Sequence, residues 1–166
     1  AFLKARSGWN AVINADAAIR EATALAEEMS KENILASQAK GNEALAFLEE
    51  AQQDFSQAEA AYPSLDLAAF KAYVAKRIES QQAALAADEA YLSRNKEELE
   101  AQNSRYNALE EEAAALAQKL GEDDPEQIVA LRFYEEIEAD QGAYEAERLK
   151  AGNADAFLRE YLGTAS

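Results

Sequence analysis

Apolar residues recur along this chain at spacings of four and three. Counted from Val74, the series runs Val74, Ile78, Gln81, Leu85, Asp88, Leu92, Asn95, Leu99, Gln102, Tyr106, Leu109, Ala113, Leu116 and Leu120 without a slip. Such spacing keeps one stripe of a helix facing a neighbour. It predicts a single helix of about 55 residues, on the order of 80 Å long. A turn between Ser93 and Glu97 would have to preserve the phase by chance, so Leu85 to Leu109 is expected to be uninterrupted.

The N-terminal part carries two stripes. Trp9, Val12, Asp16, Ile19, Thr23 and Ala26 form one. Ile34, Gln38, Gly41, Leu45, Leu48, Gln52, Phe55 and Tyr62 form the other. The shift between them, near Met29 to Asn33, predicts a stutter or kink. The C-terminal stripe is Tyr134, Ile137, Gln141, Tyr144, Arg148, Ala151, Asp155, Leu158 and Leu162.

Two prolines punctuate the pattern. Pro63 cannot continue a helix, and Ser64 or Asp66 can cap the next one. Gly121 is placed to end a helix, with Asp124, Pro125 and Gln127 placed to start another. The expected helices are therefore about 3–61, 65–120 and 125–162 of one domain, 1–166. The expected fold is all-α: an elongated, antiparallel, up-down-up three-helix bundle, coiled-coil-like, with the third helix shorter. The Pro63 loop would then form the tip of a two-helix extension. Such a bundle resembles spectrin-type bundles in architecture alone. Gly41-Asn42 and Gly152-Asn153 recur in similar settings; the unbroken phase puts both pairs inside continuing helices, with a turn as the alternative.

Composition agrees with long helices. Apolar residues make up 49% of 166, but alanine supplies much of that, which suits a slim core. The net charge is −16, from 16 basic and 32 acidic side chains. Such a surface repels phosphate backbones, so no nucleic acid is expected as a partner. A protein partner, basic in character, or bound cations fit better. No apolar run approaches membrane-spanning length.

The sequence has no cysteine and no histidine. Thiolate chemistry and zinc-thiolate sites are excluded, and so is the commonest general base. The nearest approach to an activated serine, Ser93 to Lys96, lies in helix-compatible sequence. The chain is therefore expected not to be an enzyme and to hold no cofactor. The acidic runs Leu109 to Ala113 and Glu122 to Glu126 lack the spacing of a calcium loop, so no metal ligand is assigned.

The feature with most chemical content is a polar seam within the stripes. Asp88, Asn95 and Gln102 follow Gln81 at one heptad position; Arg148 and Asp155 follow Gln141 at another. Buried amides and charges must be paired, and here they would set register or line a small interhelical site. On the expected register Arg148 bonds to Asn95, Gln102 or a nearby carboxylate. Three functional readings follow. The first is a non-enzymatic spacer or protein-docking bundle, the extracytoplasmic part of a bacterial envelope protein with its anchor outside this chain, a cytoplasmic setting remaining open. The second is a small-ligand or cation-binding bundle using the seam. The third is an acidic decoy or inhibitor of a basic protein.

Overall fold

The computed structural model describes residues 2–61 and 67–120. The expected third helix, 125–162, lies outside them, as do Gly152, Arg148 and Asp155. The described residues are all-helical apart from short connections, in four helices packed against one another. They are α1 (Phe2–Ala26), α2 (Lys31–Ala61), α3 (Ala68–Leu92) and α4 (Lys96–Lys119).

Each of the first two expected helices is thus a hairpin, which corrects the three-helix count. The first breaks at the anticipated shift. Ser30 caps α2: its Oγ accepts from the Asn33 amide at 3.1 Å, and Asn33 Nδ2 donates to Glu28 O at 3.2 Å. The second breaks where continuity was expected. Arg94 takes a left-handed conformation, φ 58°, and Asn95 Oδ1 accepts from the Glu98 amide at 3.1 Å. Ser93 Oγ turns back to Glu89 O at 2.9 Å. Glu97 and Glu98 lie in the first turn of α4, where carboxylates favour the helix dipole. Local capping therefore ends a helix that the apolar period alone would have carried through.

The helices pack most closely on their neighbours in sequence, α1 on α2, α2 on α3 and α3 on α4, with no comparably close packing of α1 on α4. The main core lies toward one end. Trp9 packs edge-on against Phe70, with ring centroids 5.0 Å apart, and Phe55 and Tyr73 complete the ring cluster. Val12, Leu48, Leu67, Val74, Ala117 and Leu120 belong to the same buried cluster. The N-terminal half of α1 and the C-terminal end of α4 therefore meet the α2 and α3 ends that flank residues 62–66. Four helix ends share this core, so the expected two-helix extension does not form.

α2 runs through Gly41, as the phase predicted. The glycine allows α3 to approach closely: a Cβ there would lie 2.8 Å from Gln81 Nε2 and from Leu85 Cδ2.

Candidate functional site: an ionic layer and a cleft above it

Beyond the ring cluster, three helices contribute charge to one layer. α3 brings Tyr73, Arg77 and Ser80 to one face at helical spacing. Arg77 Nη2 donates to Asp16 Oδ1 of α1 at 2.8 Å, and Nη1 donates to Tyr73 Oη at 2.8 Å. Its Nε lies 3.5 Å from Glu110 Oε2 of α4, without a hydrogen bond. Ser80 Oγ is 3.2 Å from the same carboxylate oxygen. Tyr106 Oη donates to Glu110 Oε1 at 3.1 Å. Only 12% of each of the Arg77 and Asp16 side chains is exposed.

Electrostatics follow from that burial. Desolvation pushes the Asp16 carboxyl up, and the pull of Arg77 reverses it only in part. Burial opposes the Arg77 charge, but Tyr73, Asp16 and Glu110 outweigh it and hold its proton more tightly than usual. Tyr106 is pushed up to about 12, by burial first and by Glu110 second. The layer sets two carboxylates, Asp16 and Glu110, against the Arg77 guanidinium, with Arg20 adding a weaker pull on Asp16.

Above the layer lies a cleft of about 180 Å³ that all four helices border. Ile19, Ala22, Thr23 and Ala26 come from α1, and Ser37 from α2; Gln81, Ala84, Ala87 and Asp88 come from α3, and Asn103 and Tyr106 from α4. The sparse packing of α1 on α4 leaves this space, and alanine at so many of its positions cannot fill it. Three of its polar groups are committed, Tyr106 to Glu110 as described. Ser37 Oγ donates to Ala22 O at 2.9 Å, tying α2 to α1. Gln81 Nε2 donates to Gly41 O at 3.4 Å. Asp88 is half-buried, and burial alone pushes its carboxyl up to about 6.

The expected seam is brought together only in part. Asp88 faces the cleft beside Gln81 and Thr23. Asn95 is exposed and caps α4. Gln102 Nε2 donates to Glu98 Oε1 of its own helix at 2.7 Å, while its Oε1 is buried without a partner. The turn at Ser93 to Asn95 reverses the chain, so Asn95 and Gln102 cannot continue the line begun by Gln81 and Asp88. Arg148 and Asp155, and the bond expected of Arg148, lie outside the described residues. The pattern did not single out Arg77, Glu110, Ser37 or Tyr106 as site residues. Arg77 and Glu110 each sit one residue from the stripe, beside Ile78 and Leu109, and that flanking position is the signal that could have found them.

Among the described residues, no group of three or more carboxylates is arranged to hold a metal ion. No helix among them is long and apolar enough to cross a membrane. Comparison with protein-family models, with curated proteins and with solved structures gives no match for this chain.

Proposed function

We propose that this chain is a non-catalytic interaction module, a helical bundle that docks a partner protein at the end formed by its two tight turns. The observation that carries this reading is where large apolar side chains are left uncovered. Met29 is 55% exposed and Leu35 46% exposed. Both lie at the turn end, opposite the ring cluster. Tyr91 Oη donates to Met29 O at 3.1 Å, joining the two hairpins there. Shallow depressions on the same end share Tyr91 and Arg94. Apolar side chains grouped at one end and rimmed by charge are the usual form of a partner surface. The net charge of −16 favours a basic partner overall, while Lys31, Arg94 and Lys96 line the depressions themselves. The absence of histidine and cysteine supports a role without catalysis.

The test is site-specific photo-crosslinking in the producing cell. A photoreactive residue at Leu35 should give a discrete protein adduct, and one at exposed Gln53, toward the other end, should not. Lack of an adduct at Leu35, or equal adducts at both positions, would overturn the reading.

A further inference from the structure

We propose that the cleft above the ionic layer binds a small organic monocation, a primary ammonium compound, with its charged head on Asp88 and its alkyl part against the alanine wall. This is independent of docking at the turn end.

The ligand class follows from what Asp88 lacks. Among the described residues its carboxylate makes no hydrogen bond and no ion pair, and no lysine or arginine borders the cleft. A carboxylate held partly away from water without a partner is an unfavourable arrangement that a cation relieves. Burial has already pushed this group up to about 6, and a bound cation would reverse that shift.

Two further polar groups point the same way. Ser37 spends its hydroxyl proton on Ala22 O, and Tyr106 spends its proton on Glu110. Both oxygens therefore keep lone pairs for a donor. An ammonium head has three donors and no acceptor, and the Tyr106 ring suits a cation as well. A hydrated metal ion fits poorly. Calcium takes about six to eight oxygen ligands, and among the described residues no group of three carboxylates is arranged to hold an ion. Size sets the upper limit. The cleft, about 180 Å³, is comparable to an apolar cavity of roughly 150 Å³ that accommodates benzene.

The experiment is an amide chemical-shift titration of the full 166-residue chain at pH 7.5. The probes are n-butylammonium, its neutral counterpart n-butanol, and butyrate. Saturable shifts confined to the cleft are expected for n-butylammonium, with a Kd on the order of millimolar, as suits a ligand of about five heavy atoms. n-Butanol should bind at least tenfold more weakly, on the order of the loss of one charge-assisted hydrogen bond, and butyrate should not bind. Asp88→Asn should weaken n-butylammonium at least tenfold, by the same reasoning. Glu100→Gln, exposed on α4, should change nothing. Equal binding of n-butanol would show an apolar cleft without cation recognition and overturn the proposal. So would unchanged binding in Asp88→Asn, or no saturable shift at the highest probe concentration.

Discussion

The two halves of this bundle are built from the same helices but not from the same materials. Toward the Trp9 end, the buried side chains include a tryptophan, two phenylalanines, a tyrosine, leucines and valines. Beyond the ionic layer, the buried apolar residues among those described are Ala18, Ala22, Ala44, Ala83, Ala87, Ala90 and a single larger one, Ile34. Burial stabilises in proportion to apolar area, so the ring end carries most of the hydrophobic stabilisation. The alanine end is left with polar contacts, a cleft and an unpartnered carboxylate. The arrangement separates stability from chemistry along one axis.

The sharpest way to break this comparison is to truncate Trp9. Trp9→Ala should cost about 4–5 kcal/mol in urea unfolding, because a fully buried ring is removed from between three others. Native-state hydrogen exchange in the wild type should run parallel, slower for 5–15, 48–58 and 70–77 than for 18–26 and 83–90. Uniform protection along the helices would refute the division into unequal halves.

Arg77 lies where the halves join. Arg77→Ala should cost about 3 kcal/mol, since it removes the counter-charge hydrogen-bonded to Asp16 and close to Glu110, and leaves Asp16 only the weaker pull of Arg20. The double variant Arg77→Met, Asp16→Leu should recover part of that loss, because no buried charge is left unpaired across α1 and α3. A double variant less stable than Arg77→Ala alone would contradict this account of the layer.

Two glycines within the described helices, Gly8 and Gly41, give a finer comparison. A Cβ at Gly8 would sit 3.0 Å from the Phe55 ring and 3.1 Å from Ala51 O. Neither can yield, since one is a fully packed ring and the other backbone. Gly8→Ala should therefore cost about 1–2 kcal/mol even after its gain in helix propensity. At Gly41 the obstructing atoms are the ends of Gln81 and Leu85, which can move into the cleft half. Gly41→Ala should change stability by less than about 0.5 kcal/mol, strain offsetting propensity. Equal losses at both sites would mean that the alanine end is as tightly packed as the ring end.

A modest effect, developed across a pH window, is expected of Asp88. Burial pushes its folded carboxyl up to about 6, above the usual unfolded value of about 3.9. The folded state thus binds more protons between those values, and this group makes stability fall as pH rises through that window. Asp16, also raised, contributes with the same sign. Tyr106 is the other titratable group on the cleft, and it stays neutral there. Asp88→Asn should be more stable than wild type at pH 7.5 by about 1 kcal/mol, a figure reduced for solvent screening. The difference should close below about pH 4. A variant less stable at pH 7.5 would mean that Asp88 has a partner.

Much of the fold was legible as pattern. The 4-3 spacing identified helices throughout the described residues, and the shift near Met29 marked a real break. The break at Ser93 to Asn95 was written in other terms: Asn95 followed three residues later by Glu98 is a helix-start signal. It was overridden by an apolar phase that happens to be the same on both sides of the turn. A hairpin returning on itself need not disturb a seven-residue count, so periodicity could not distinguish one long helix from two short ones. The polar seam was legible for Gln81 and Asp88 because they lie on one helix. It failed at Asn95 and Gln102 because it assumed that helix continued. The ionic layer was not legible as a layer, because Asp16, Arg77 and Glu110 are brought together only by the way three helices pack.

That the helices pack chiefly on their neighbours in sequence bears on how the chain reaches this state. Partners in such an arrangement are never far apart along the polypeptide. Little loop entropy has to be surrendered before contacts begin to form, and helical topologies with local contacts fold on the order of microseconds to milliseconds. The hairpin of α1 and α2, tied by Ser37 to Ala22 and by Ser7 to Asp54, contains most of what it needs within its first 61 residues. Its fully buried rings, Trp9 and Phe55, are completed by Phe70 of α3.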